Sequence, residues 1–288
     1  MIVDTEDGLA VWDWAEGCEL PAGTLAIERL GVGHRCETWL VWSVELWAPA
    51  VLKVVRPHQL NHPRAVKALR RETAALAGTW HPALPQLLLD GSDDTIPHLL
   101  LEYVDGPTLA DELDEHGALP ENEVALLGAQ VLPALMTLHD RGLAHLDVKP
   151  DNVVLCDGRP ILIDFGTARA IGSPQPAGHP VGTVGYASPD QEACTPVSVA
   201  MDIYSLGQTL LEAGDLDAHQ PTSDLTTLLA RLTDTDPVLR GTTTEALIAL
   251  AAAAGDLRPW PNWLDRFATR GKGVGQAATK LRQAHADS

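Results

Sequence analysis

Two carboxylates, an amide and an ammonium lie close together in the middle of the chain. His145-Leu146-Asp147-Val148-Lys149-Pro150-Asp151-Asn152 is followed, after about a dozen residues, by Ile161-Leu162-Ile163-Asp164-Phe165-Gly166. Phosphoryl transfer from ATP calls for such a set. One carboxylate orients the attacking hydroxyl and accepts its proton, a second carboxylate and an amide oxygen hold Mg²⁺ against the phosphates, and an ammonium stands near the transferring group. Asp147, Asp164, Asn152 and Lys149 fill those places in that order. An Asp-x-Lys-x-x-Asn run alone is a weak signal, and so is an apolar strand ending in Asp-Phe-Gly. The two linked leave little room for a chance Asp/Asn-rich turn before a buried strand.

At these residues the chain resembles the eukaryotic-like (Hanks-type) bacterial Ser/Thr protein kinases, and the resemblance extends over residues 23–255. Leu25-Ala26-Ile27-Glu28-Arg29-Leu30, Gly31-Val32-Gly33 and Thr38-Trp39-Leu40-Val41-Trp42 read as strand, glycine turn, strand. Glycines there let backbone N–H groups approach phosphate oxygens without interference from a Cβ. Lys53 lies in the β-branched run Ala50-Val51-Leu52-Lys53-Val54-Val55. The resemblance implies that it grips the α/β-phosphates and pairs with Glu72, on a helix that opens at Pro63. By the same resemblance Gly31, Gly33, Thr38, Val51 and Leu101 line the nucleotide pocket, with Leu101 at its back. Glu102 and Val104 offer backbone groups to adenine, and Asn152 and Asp164 hold the metal. The implied cofactors are ATP and Mg²⁺, and the implied partner is an unidentified protein substrate. Lys149 within Asp-x-Lys-Pro-x-Asn points to Ser/Thr as the acceptor.

Those residues need a scaffold of two parts. The resemblance implies an α+β, two-lobed fold: a small antiparallel β lobe with one helix, and a mainly helical large lobe. The boundaries read as an acidic N-terminal extension over 1–22, a small lobe over 23–104, a large lobe over 105–255 and a basic tail over 256–288. Thr108 reads as the N-cap of Leu109–Leu113. Apolar residues at helical spacing predict a helix over 121–140, with a kink or break at Pro133. Val181-Gly182-Thr183-Val184-Gly185-Tyr186-Ala187-Ser188-Pro189-Asp190 resembles the family's substrate-docking segment, and Asp190 is expected to pair with Arg240. Asp202 matches the acid that braces the catalytic-loop backbone. The Gly/Pro-rich stretch 172–180 predicts a mobile loop whose one hydroxyl is Ser173.

Composition narrows the field. The 288 residues carry a formal charge of −19, which argues against nucleic acid as partner. From Asp256 onward six basic residues face three acids, so a basic tail that folds back on an acidic body is one expectation. No apolar run reaches the roughly 18–20 residues of a membrane span, the N-terminus lacks a basic start, and the four scattered cysteines read as free thiols. The expected setting is cytoplasmic, without a membrane partner. Many Ala and Arg with few Lys hint at a GC-rich bacterium.

Several positions depart from the family. Cys36 occupies a glycine position, Thr38 and Val51 replace Val and Ala at the adenine roof, and Asp190 replaces Glu. Leu146 replaces the Arg that precedes the catalytic Asp, which makes this a non-RD sequence. Without that Arg a phosphorylated activation loop has no receiver, so activity is expected to be independent of such phosphorylation. Most of the helix the family calls αG is missing after Gly214. These departures keep two alternatives open: a nucleotide-binding pseudokinase or scaffold, and a small-molecule phosphotransferase.

Overall fold

Alternation of apolar residues in the first hundred positions builds one antiparallel sheet. The computed structural model describes residues 2–4, 10–176, 178 and 180–255. A short pair, β1 (Ile2–Asp4) and β2 (Ala10–Trp12), precedes the main strands. These are β3 (Glu19–Leu20), β4 (Thr24–Val32), β5 (Cys36–Ser43), β6 (Ala48–Val55), β7 (Leu87–Gly91) and β8 (His98–Glu102), in the order β3-β4-β5-β6-β8-β7. Side chains alternate between the faces. One face gathers Trp39, Val41, Ala50, Leu52, Val54 and Leu100 into a buried cluster with Leu20 and Ala26. On the other, register places Gly31 opposite Thr38, Thr38 opposite Lys53, and Val51 opposite Leu101.

Residues 10–22 pair with and pack on this sheet unit. Glu19 and Leu20 pair with Leu25 and Thr24. Trp12 and Trp14 pack on the buried cluster, covering a face that would otherwise expose Trp39 and Leu52 to water.

The helix of this unit is α1 (Pro63–Leu76), with Pro63 in its first turn and the His62 ring accepting from the Arg64 N–H. Its buried stripe is Ala65, Leu69, Glu72, Ala75 and Leu76. An acid in such a stripe requires a partner.

The break between units falls after Val104, and Asp164–Ala168 belongs with the sheet unit. The second unit is mainly helical. Helix α2 (Leu109–His116) starts from a capping box between Thr108 and Asp111. Helix α3 (Glu121–Asp140) is the apolar centre against which later helices pack. It continues through Pro133 instead of breaking. The Ala129 carbonyl loses its helical partner to the proline, at a residue that is half-buried.

Two small pairs follow: β9 (Leu143–Ala144) with β12 (Arg169–Ala170), and β10 (Val153–Cys156) with β11 (Arg159–Leu162). Helices α4 (Pro189–Glu192), α5 (Val199–Ala213), α6 (Asp224–Leu232) and α7 (Thr243–Ala254) complete the unit. No helix occupies 214–223, the connection in which αG was expected to be lost. The basic tail over 256–288 lies outside the described residues. Among the described residues no helix is long and apolar enough to cross a membrane.

Candidate active site

In the sheet unit the site is built around one ammonium. Strand β6 carries Lys53, α1 carries Glu72, and Asp164 stands where β11 has ended and the chain turns. Lys53 Nζ lies 2.7 Å from Glu72 Oε2 and 2.7 Å from Asp164 Oδ1. Burial alone would drive the Lys53 ammonium toward its neutral form, but the two carboxylates, Asp164 foremost, outweigh it and raise its pKa. Glu72 is 1% exposed. Its carboxyl is pushed up by burial, against the pull of Lys53.

Asp164 adopts a left-handed backbone, φ 61°. Such a conformation costs about 1–3 kcal/mol for a side-chain-bearing residue and is least strained for Asp and Asn. Here the carboxylate also accepts the Gly166 N–H at 3.1 Å, a local turn that helps hold it. A Cβ on Gly166 would stand 3.3 Å from Asp164 Oδ1 and 3.9 Å from Lys53 Nζ, so glycine keeps that flank open.

Gly31 and Gly33 belong to the β4–β5 hairpin, whose turn is closed by the Gly33 N–H donating to the Cys36 carbonyl at 2.9 Å. Cys36 is buried beside Lys53, and burial pushes its thiol up to about 12. Thr38, Val51 and Lys53 share a face by register, and Leu101 continues it. The Glu102 N–H already donates to the Gln86 carbonyl at 2.9 Å, so of that residue's backbone groups only the carbonyl can serve a ligand. Val104 is the last residue before the break.

In the helical unit the catalytic-loop residues converge on Asp147. Asn152 donates from its amide nitrogen to the Asp147 carbonyl at 2.8 Å and to Asp147 Oδ2 at 3.3 Å. That commits the nitrogen and leaves the amide oxygen as the ligand atom. The Thr183 hydroxyl donates to Asp147 Oδ1 at 2.7 Å. Lys149 pairs with Asp151 at 3.6 Å. The Asn152 amide oxygen is a donor of the type that suits a hard cation.

The loop's backbone is braced from below. Asp202 on α5 is fully buried and accepts the His145 N–H at 2.8 Å, the Leu146 N–H at 2.7 Å and His139 Nε2 at 2.8 Å. Burial pushes its carboxyl up, yet the bond to His139 and the neighbouring groups prevail and lower its pKa. Leu146 has φ 66°. It is held there by the Asp202 bond and by Gln191 Nε2, which donates to the Leu146 carbonyl at 2.8 Å. Its side chain is buried with Ala144, Val181, Val197 and Met201. Gly182 fits this corner because a Cβ there would come within 2.5 Å of the Leu146 carbonyl oxygen.

The stretch expected to be a mobile loop is anchored at its start. The Gly172 N–H donates to the Val197 carbonyl at 2.7 Å, the Val197 N–H to the Ser173 carbonyl at 3.0 Å, and buried Gln175 to the Thr195 carbonyl at 2.9 Å. Gly/Pro content signals irregular backbone, but partners twenty or more residues away restrain it. Farther on, Arg240 is fully buried and its Nη2 lies 2.6 Å from Asp190 Oδ1.

The protein kinase domain family matches residues 25–221. The chain belongs to that family. Its relatives include the serine/threonine-protein kinase PknB of Mycobacterium leprae, 32% identical over 191 residues, covering 64% of this chain and 31% of PknB. The probable serine/threonine-protein kinase PkwA of Thermomonospora curvata is 32% identical over 217 residues, covering 74% of this chain and 29% of PkwA. The chain thus spans less than a third of the curated relatives it matches. Among solved structures, the PknI kinase domain of Mycobacterium tuberculosis (C20A_R136N double mutant) superposes with a TM-score of 0.67 at 27% identity, covering 84% of this chain and 99% of that one. Protein kinases as a family use ATP and Mg²⁺ and act on proteins.

The charged residues, and the braces Glu72 and Asp202, are marked in the sequence; Thr183, His139 and Gln191 are not. Thr183 reads in sequence as part of the docking segment alone. The signal for Thr183 lay in its place right after Gly182; for the other two nothing local marked them.

Proposed function

We propose that this chain is a Ser/Thr protein kinase, transferring the γ-phosphoryl group of ATP to a hydroxyl of a protein substrate. The observation that carries the reading is the Lys53 ammonium held between Glu72 and Asp164 at 2.7 Å each. That ammonium takes the α/β-phosphates. Asp147 orients the substrate hydroxyl and accepts its proton. In this structure Asp147 Oδ1 is occupied by the Thr183 hydroxyl, a stand-in for that proton donor. Lys149 stabilises charge on the transferring group. Asn152 and Asp164 are the residues that would hold Mg²⁺, which draws charge off the phosphate oxygens when bound.

We propose further that activity does not require activation-loop phosphorylation. In place of a cation awaiting a phosphate, Leu146 joins an apolar cluster with Val181 and Val197, which ties the loop to the segment after it. The protein substrate then docks along residues 183–187, beside a cavity of about 690 Å³ lined by Tyr186, Tyr204, Leu211 and Glu212.

Intact mass after incubation with Mg·ATP, comparing the natural chain with Asp147→Ala, tests the reading. Phosphate gained by the natural chain alone supports a working kinase. No gain together with a thermal shift on Mg·ATP points to a nucleotide-binding scaffold. A gain equal in both chains overturns the role of Asp147.

A further inference from the structure

Arg56 lies outside every group discussed so far, three residues beyond Lys53 on the same run of chain, and it is 3% exposed. Its guanidinium reaches in two directions. Nη1 donates to the Gly33 carbonyl at 3.0 Å, and Nε donates to the Ala10 carbonyl at 3.1 Å. Its own N–H donates to the Arg35 carbonyl at 3.0 Å. The glycine turn is therefore held at Gly33 and Arg35 from beneath, by one residue that also grips the N-terminal segment.

That segment is fixed by further bonds. Trp12 donates its N–H to Glu37 Oε1 at 2.8 Å and its indole N–H to the Val55 carbonyl at 2.9 Å. Its carbonyl accepts from Arg29, which pairs with Glu37 at 3.3 Å and covers the Trp39 ring at 4.6 Å. Trp12 stacks on Trp14 with ring centres 4.9 Å apart. Glu37, fully buried, thus joins the segment to β5 one residue after Cys36. A hairpin tip rich in glycine is entropically costly to hold in one shape. Here the cost is offset by a network that continues into residues 10–14.

We infer that Arg56 is a positioning residue that fixes the Gly31–Arg35 turn for the nucleotide's phosphates by anchoring it to the N-terminal segment. The inference rests on the kinase reading, since that reading makes the turn a phosphate cover. Arg56 touches no phosphate itself; its guanidinium acts by joining the Gly33 carbonyl to the Ala10 carbonyl, which sets where the turn's N–H groups point.

The test compares the full chain with Arg56→Met and Arg56→Lys. Amide hydrogen exchange without nucleotide is read first. In Arg56→Met, exchange at residues 33–37 and 10–14 is expected to accelerate together by about tenfold, while α3 keeps its protection. Affinities for Mg·ATP and for adenosine follow. Mg·ATP is expected to weaken about tenfold and adenosine less than twofold, because only the phosphates meet the turn. Arg56→Lys, which can serve one carbonyl but not both, is expected to fall between. Unchanged exchange at the turn, or equal weakening of ATP and adenosine, overturns the inference. A natural chain that binds neither ligand overturns the kinase reading instead, and the exchange data still decide what Arg56 holds.

Discussion

Lys53, Glu72 and Cys36 sit within one buried neighbourhood and show opposite consequences of burial. For the ions, burial is tolerable because each charge has a partner: Lys53 has two carboxylates, and Glu72 has Lys53. Lys53→Met strands Glu72, whose raised carboxyl then takes up a proton, and removes the cation the phosphates need. Phosphoryl transfer, followed by radiolabel incorporation, is expected to fall at least about 100-fold, in the range seen when one preorganised charge donor is lost. At Cys36 burial outweighs the pull of the neighbouring Lys53 ammonium, and the thiol is pushed up to about 12. Thiolate is the reactive form. In native protein treated with iodoacetamide near pH 8, peptide mass spectrometry is expected to find exposed Cys18 alkylated and Cys36 spared. Labelling of Cys36 as fast as Cys18 would contradict the buried geometry. The residue scale was also the most legible in sequence. Asp147, Asn152, Asp164 and Lys53 announce themselves because a charge in an apolar run or a fixed turn is costly without a purpose. Arg56 did not, since an Arg after a strand reads equally well as a solvent-facing charge.

At the scale of elements the catalytic loop is a strained segment held by a rigid one. Leu146 bears a left-handed backbone, φ 66°, on a residue with no local hydrogen bond to justify it. Asp202, Gln191 and the apolar cluster around Val181 hold it there. Asp202 makes this brace pH-dependent. Its folded pKa is lowered, so its contribution is complete above the unfolded value of about 4 and is lost as pH falls through the folded value. Asp202→Asn is expected to cost roughly 1.5–3 kcal/mol at neutral pH, the range for hydrogen bonds to a charged group. Urea unfolding at several pH values should show the gap between variant and natural chain narrowing below about pH 4. A gap that stays constant down to pH 2.5 would show that the carboxylate's charge is not what braces the loop. The same apolar clamp bears on activation. A phosphatase-treated sample is expected to keep its phosphotransfer rate within tenfold, measured on a protein acceptor. A larger drop means that a phosphate supplies order that the Leu146 cluster does not. One helix start was readable at this scale because caps are local: Thr108 precedes α2 and accepts from its third residue, as Ser223 and Thr242 do for α6 and α7. The anchoring of 172–175 was not readable. Its partners, Thr195 and Val197, lie about twenty residues on, and Gly/Pro content reports backbone freedom rather than what restrains it.

Over the whole molecule, the two-unit plan was legible only through what the resemblance to protein kinases implies, while the place of residues 10–22 was not. Two tryptophans in an acidic stretch carry no period, and only the sheet face beneath them shows why they are there. The distant pairing of Asp190 with Arg240 was readable because the kinase resemblance implies an acid at that place and a buried Arg far along the chain to meet it. Arg240 is fully buried, donating to Asp190, to the Ala200 carbonyl at 2.8 Å and to the Asp234 carbonyl at 2.8 Å, with its guanidinium 4.9 Å from the Tyr204 ring. It therefore ties the end of the docking segment to α5 and to the turn before α7. Truncating it leaves Asp190 without its cation and removes the guanidinium's bonds to the Ala200, Asp234 and Thr235 carbonyls. Arg240→Met is expected to lower stability by about 3–5 kcal/mol. At roughly 2–4 °C per kcal/mol for a chain of this size, the melting temperature should drop by about 6–20 °C. Pairing that change with Asp190→Asn separates the ion pair from the rest of the network. If the cost lies mainly in the orphaned carboxylate, the double variant recovers a good part of the loss. If it lies in the Ala200 and Asp234 carbonyls, the double variant is no better than Arg240→Met, and the guanidinium matters here as a donor rather than as a charge.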